Sequence, residues 1–167
     1  ALPILATNIA ETSLTIEGIR LVVDSTQERV ASFDPRTGLT RLLTQRISQA
    51  SMVQRAGRAG RLEPGICLHL TSAEQAERAA LQSTPEILQS DLSGLVMDLM
   101  QWGCPDPDQL TWLNPPPVVN LSAARSLLTQ LGALEDERLT ARGQKMAALG
   151  NDPRLAAMLV AAQGDDE

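Results

Sequence analysis

"LPILATNIAETSLTIEGIRLVVD", residues 2–24, decides the fold. Its two ends, "LPILA" (2–6) and "IRLVVD" (19–24), are short and almost continuously apolar. That pattern belongs to strands of a parallel sheet buried on both faces. The residues between them are polar and rich in hydroxyls, as expected of a loop at the carboxyl edge, where open α/β sheets bind their ligands. The chain opens on this apolar run without a Met, which predicts a cut inside a sheet.

Composition narrows the class. The chain has 167 residues, 43% hydrophobic and 20% charged, as in globular proteins. Aromatic residues make up only 2%, so the core must come from Leu, Ile, Val, Ala and Met, and base stacking on rings is a poor option. Net charge is −6, but it is unevenly spread. Positions 27–62 hold Arg29, Arg36, Arg41, Arg46, Arg55, Arg58 and Arg61 against only Glu28 and Asp34. A basic island in an acidic body predicts a localised phosphate partner. Cys67 and Cys104 are far apart and His69 is the only histidine, so no zinc spacing and no nucleophile–histidine set is expected. "GICLHL" (65–70) reads as a buried strand with an incidental histidine. No apolar run spans a membrane and no stretch reads as a signal peptide, which together with the unpaired cysteines predicts a cytoplasmic protein.

Further along, "DPRTG" (34–38) has turn chemistry and predicts a β-hairpin over about 28–44. "SQASMVQRAGRAGR" (48–61) predicts a helix capped by Ser48 or Ser51, and "SAEQAERAAL" a helix begun by Ser72. Composition shifts near position 82. Two apolar-striped helices follow, around "LSGLVMDLMQWG" and "VVNLSAARSLLTQLGAL", then a small two-stranded wing at "LEDERLT" and a helix at "ARGQKMAALG". Helix, helix, wing, helix is the order of a winged-helix module. The predicted fold class is α/β: the C-terminal part of a parallel sheet with an inserted hairpin (1–81), then a mainly helical winged-helix domain (82–150). A further helical domain begins over 151–167.

The chemistry concentrates in "QRAGRAGR" (54–61), which gathers three arginines and two glycines. On a helix at about 100° per residue, Arg58 and Arg61 fall within about 40° of Gln54, with Arg55 about 100° away. Two guanidinium forks and an amide on one face suit a polyphosphate whose charge redistributes in transfer, and glycines leave room for close approach. The chain has no clamp for that phosphate. A Walker loop needs G-x-x-x-x-G-K-[ST], and the only lysine, Lys145, stands in "ARGQKMA". The nucleotide must therefore be held by another domain.

These stretches resemble a known family. "ATNIAETSLTIEGIRLVVD" followed by "QRAGRAGR" resembles motifs V and VI of the DEAH-box RNA helicases. The likeness continues through "PGICLHL", "PEILQSDLSGLVMDLMQWG", "WLNPPP", "LGALEDERLTARGQKMA" and "DPRLAAML"; "FDPRTGLTRL" and "ILQSDLSGL" look most like the bacterial HrpB-type subfamily. The resemblance implies the later part of a second RecA-like lobe, a winged helix and the start of a helical ratchet domain. It implies ATP with Mg²⁺, held mainly by a first RecA-like lobe of the same full-length protein, and single-stranded RNA gripped through its backbone. Arg58 and Arg61 would be arginine fingers on the γ-phosphate, with Gln54 positioning the hydrolytic water. Thr7 and Asn8 would touch RNA, and Ser13 would sense the nucleotide and pass its state to the RNA. Thr15 and Glu17 would lie on the adenosine side, although the family often has Asp where Glu17 stands. Arg36, on the hairpin thought to part strands, joins the RNA set. Lacking the Walker loop and the DEAH box, the chain alone is expected neither to hydrolyse ATP nor to unwind RNA. The competing readings are a non-catalytic nucleic-acid-binding winged-helix adaptor, or a scaffold whose arginines dock an acidic protein.

Overall fold

The structure, a computed structural model, describes residues 3–11, 16–150 and 152–164. The chain divides into two compact units. The first holds residues 1–31 and 42–84, the second 32–41 and 85–167. Each is treated by itself.

In the first unit, strand β1 (Leu21–Asp24) pairs in parallel with β4 (Ile66–His69), in the register Leu21 to Ile66 and Asp24 to His69. Parallel neighbours need a long crossover. Here it contains a hairpin of β2 (Gln27–Asp34) and β3 (Leu39–Arg46), then helix α1 (Gln49–Ala56). Asp34 shapes the hairpin turn by accepting from the Arg36 and Gly38 amides, and Gly38 takes a φ of +66° that few side chains tolerate. Ser48 is the cap of α1, its hydroxyl accepting from the Ser51 amide at 3.1 Å. A short helix α2 (Ala73–Glu77) begins at Ser72 as expected and stops at Arg78.

Three expectations are corrected. Residues 3–7 form no strand, and Leu5 is 97% exposed. A strand exists only through its ladder, and among the described residues no strand pairs with this segment. The β1–β4 pair is not buried on both faces either. Leu21, Val23, Ile66 and Leu68 share one side of it and are each more than half exposed. Finally, α1 ends at Ala56 instead of running on through Arg61. Glycines 57 and 60 are poor helix formers, and beyond Ala56 the amides of Arg58 and Ala59 bond three residues back, to Arg55 and Ala56.

The second unit is mainly helical. Helices α3 (Ser93–Trp102) and α4 (Val118–Gln130) end at Gly103 and near Gly132, both with positive φ. A wing of two-residue strands, β5 (Leu134–Glu135) and β6 (Arg138–Leu139), leads to α5 (Ala141–Ala148) and α6 (Pro153–Gly164). Leu92, Val96, Met97, Ala124, Leu128, Ala133, Leu134, Met146, Ala156 and Ala157 make one core, with Leu128 and Met146 fully buried. No helix among the described residues is long and apolar enough to cross a membrane.

The hairpin tip belongs to this second unit. Phe33 is buried and its amide bonds the Gln89 carbonyl at 2.8 Å. Arg154 holds Asp91 at 2.7 Å with one nitrogen and the Gly38 carbonyl at 3.0 Å with another. For Asp91, burial alone would raise the pKa, but the Arg154 fork and the Ser93 amide outweigh it and hold the carboxyl below its ordinary 3.8.

Two measurements test this packing. A Cβ on Gly143 would overlap the Ala133 carbonyl, whereas one on Gly94 meets nothing within 4 Å. Gly143→Ala is expected to cost about 1–3 kcal/mol in urea unfolding, and Gly94→Ala to gain up to about 1 kcal/mol. The depressed Asp91 pKa stabilises above pH 3.8 and is lost as the pH falls through the lower folded value. Asp91→Asn is expected to lower stability by about 1 kcal/mol at pH 7. In thermal melts, the gap from the parent should close as the pH falls below 3.8 and through the lower folded value.

Candidate functional site

The expected site residues of the first unit cluster around a 3-10 turn (Asn8–Glu11) and the end of α1. Thr7 and Asn8 are exposed, and the turn begins with the Ala10 amide bonding the Thr7 carbonyl at 3.1 Å. Gln54 is exposed on α1. Arg58 and Arg61 leave the turn after α1, not its helical face. Arg58 is half-buried and donates through Nη2 to the Glu11 carbonyl, while Arg61 is exposed. Glu17 is exposed in a turn with Gly18. Ser13 and Thr15 lie outside the described residues. Arg36, exposed at the hairpin turn, belongs to the other unit.

The turn after α1 is held from below. Ala59 is 2% exposed, and a Cβ on Gly65 would overlap its carbonyl, so the chain entering β4 presses directly on the backbone between Arg58 and Arg61. Gly60 faces open space. The two forks are therefore carried on a segment that is packed on one side and uncovered at Gly60.

Arg55, the arginine that helical projection sets aside, is anchored at three points. Its Nε donates to the Glu11 carboxylate at 2.6 Å, and its Nη1 to Asp24 at 2.9 Å and to the Gln27 carbonyl at 3.1 Å. The side chains of Arg55, Glu11 and Asp24 are 12%, 14% and 2% exposed. Burial opposes the charge on Arg55, but the two carboxylates prevail and raise its pKa above the ordinary value. Asp24 also accepts from the Thr26 amide at 2.9 Å and faces His69 Nδ1 at 3.1 Å. His69 is thus not an incidental strand residue. Sequence reasoning missed this network. The available signal was Asp24 itself, a lone carboxylate closing an apolar strand, which needs a partner if buried.

Among the described residues, no group of three His, Cys, Asp or Glu side chains is placed to hold a metal.

Comparison with known proteins finds relatives among the RNA helicases. The winged-helix part of the helicase associated domain (HA2) matches residues 124–150, from mid-α4 through the wing and α5. In sequence and fold the chain is similar to one segment of the DEAH-box ATP-dependent RNA helicases. Its particular kin among them is HrpB. The chain is 80% identical to the ATP-dependent RNA helicase HrpB of Escherichia coli (strain K12) over 98% of its own length and 20% of that protein's. A crystal structure of Escherichia coli DEAH/RHA helicase HrpB superposes with a TM-score of 0.90 at 81% identity, covering 93% of this chain and 20% of that one. The human probable ATP-dependent RNA helicase DHX34 is 42% identical over 94% of this chain and 14% of its own length. The chain thus spans about a fifth of the length of HrpB.

Removing Arg55 strands two buried carboxylates. Arg55→Ala is expected to destabilise the first unit by about 3–5 kcal/mol. Amide hydrogen exchange should show the loss in β1 and α1, with the second unit unchanged.

Proposed function

We propose that this chain supplies the second-lobe half of the ATP site and part of the RNA path in an ATP-dependent RNA helicase. Arg58 and Arg61 act as arginine fingers on the γ-phosphate of ATP·Mg²⁺ held by the first RecA-like lobe. They neutralise the charge that spreads over the transferring phosphoryl group. Gln54 orients the attacking water. Ser13 reads the nucleotide state, and Thr15 and Glu17 face the adenosine side. Thr7, Asn8, Ser13 and Arg36 contact the RNA backbone. Residues 82–150 form the winged helix and 151–167 open the ratchet domain. ATP-driven opening and closing of the lobes moves the protein along single-stranded RNA in the cytoplasm, and the chain by itself is inactive.

The observation that carries this reading is the placement of Arg58 and Arg61 on one packed turn beside an uncovered glycine, in a chain 80% identical to a named RNA helicase. In the full-length protein, Arg58→Ala or Arg61→Ala is expected to lower ATP turnover by about 10³–10⁵-fold. RNA affinity, measured by fluorescence anisotropy at fixed salt, should stay within a few-fold of the parent. Unchanged turnover would remove the finger assignment. RNA binding that is salt-sensitive yet indifferent to ATP analogues would favour the non-catalytic adaptor instead.

A further inference from the structure

Glu11 occupies a place that neither fingers nor RNA contacts account for. Its carboxylate accepts from Arg55 Nε, and its own backbone carbonyl accepts from Arg58 Nη2. Arg55 is fixed in turn by Asp24, which closes β1 with its side chain 2% exposed and bonds the Thr26 amide. The Arg58 amide bonds the Arg55 carbonyl at 3.1 Å. Strand, helix and 3-10 turn therefore meet in one closed circuit, Asp24 to Arg55 to Glu11 to Arg58 and back to Arg55.

We infer that Glu11 is a positioning residue for Arg58: its salt bridge to Arg55 fixes the peptide whose carbonyl orients the Arg58 guanidinium. The inference rests on the finger reading of Arg58 and adds how that finger is aimed. A guanidinium on a four-torsion side chain is a useful phosphate ligand only if its orientation is set beforehand, because ordering it during the reaction costs rotamer entropy. The carbonyl is rigid because its residue is anchored at the side chain by a buried ion pair, which a surface turn alone would not provide.

The test is a mutant cycle in the full-length helicase. Glu11→Ala is expected to lower kcat for ATP about 10–100-fold while leaving KM for ATP and RNA affinity within about 3-fold. Glu11→Gln, which retains an acceptor for Arg55, is expected to recover most of the loss. In an Arg58→Ala background, Glu11→Ala should have no further effect beyond about 2-fold, because the group it aims is gone. A full multiplicative loss in that background would overturn the inference and leave Glu11 as a fold residue only. Unchanged or raised kcat in Glu11→Ala would overturn it too, a rise meaning that the carbonyl parks the finger instead of aiming it. Should Glu11→Ala fail to fold, the same cycle is run with Asp24→Asn, which removes the other carboxylate holding Arg55, and the same non-additivity with Arg58→Ala is required. If Arg58→Ala itself leaves turnover intact, the finger reading fails; if only the Glu11 effect is missing, the finger stands and its aiming by Glu11 does not.

Discussion

A guanidinium can leave water at tolerable cost only when its edges meet carboxylates and carbonyls, and Arg55 meets that condition with Glu11, Asp24 and Gln27. The consequence spreads well beyond one side chain. Asp24 ends β1, Glu11 ends the 3-10 turn and Arg55 lies near the end of α1, so three segments distant in sequence are pinned at one point. His69, at the end of β4, faces the other oxygen of Asp24 and brings in the second strand of the sheet. The carboxyl edge of the parallel pair is thus organised by charge, at the edge where such sheets present ligands.

The two units achieve order by different means. Among its described residues the second has a core cluster of ten buried apolar side chains from α3, α4, the wing, α5, α6 and adjoining turns, and its polar contacts trim that core. Thr140 shows the trimming: its hydroxyl caps α5 through the Gly143 amide and also bonds the Gly132 carbonyl, tying the exit of α4 to the entry of α5. The first unit buries far fewer apolar side chains, chiefly Ile47, Met52 and Ala59 among the described residues. With less area removed from water, its geometry leans on the Arg55 network and on the Ser48, Ser51 and Ser83 hydroxyl cluster. The apolar face of Leu21, Val23, Ile66 and Leu68 is uncovered in this unit, so the hydrophobic contribution its strands could make is only partly realised.

Legibility in the sequence followed the range of the interactions. Local signals were readable: Ser48 and Ser72 as caps, "DPRTG" as the hairpin turn, Gly132 near the end of α4, and the wing at "LEDERLT". What failed depended on distant partners. "LPILA" has the composition of a strand but no described neighbour to complete its ladder, and "IRLVVD" reads as doubly buried although one face is open. The helix through "QRAGRAGR" followed from its arginine spacing, but two glycines in four residues outweighed that pattern. Arg55 was set aside for its angle, yet its value comes from Glu11 and Asp24, which lie 44 and 31 residues away. No periodicity encodes such a pairing.

The basic island also changes meaning once its members are placed. Arg55 is consumed by buried carboxylates, and Arg46 is held by Gln75 through both its backbone carbonyl and its side-chain oxygen. Arg58 spends a donor on Glu11. Arg29, Arg36 and Arg41 remain exposed on the hairpin ribbon, while the wing turn carries Glu135, Asp136 and Glu137. Exposed positive charge is thus concentrated on the hairpin, and exposed carboxylates on the wing turn. The hairpin tip is held within the second unit, through the Phe33 amide and the Gly38 carbonyl.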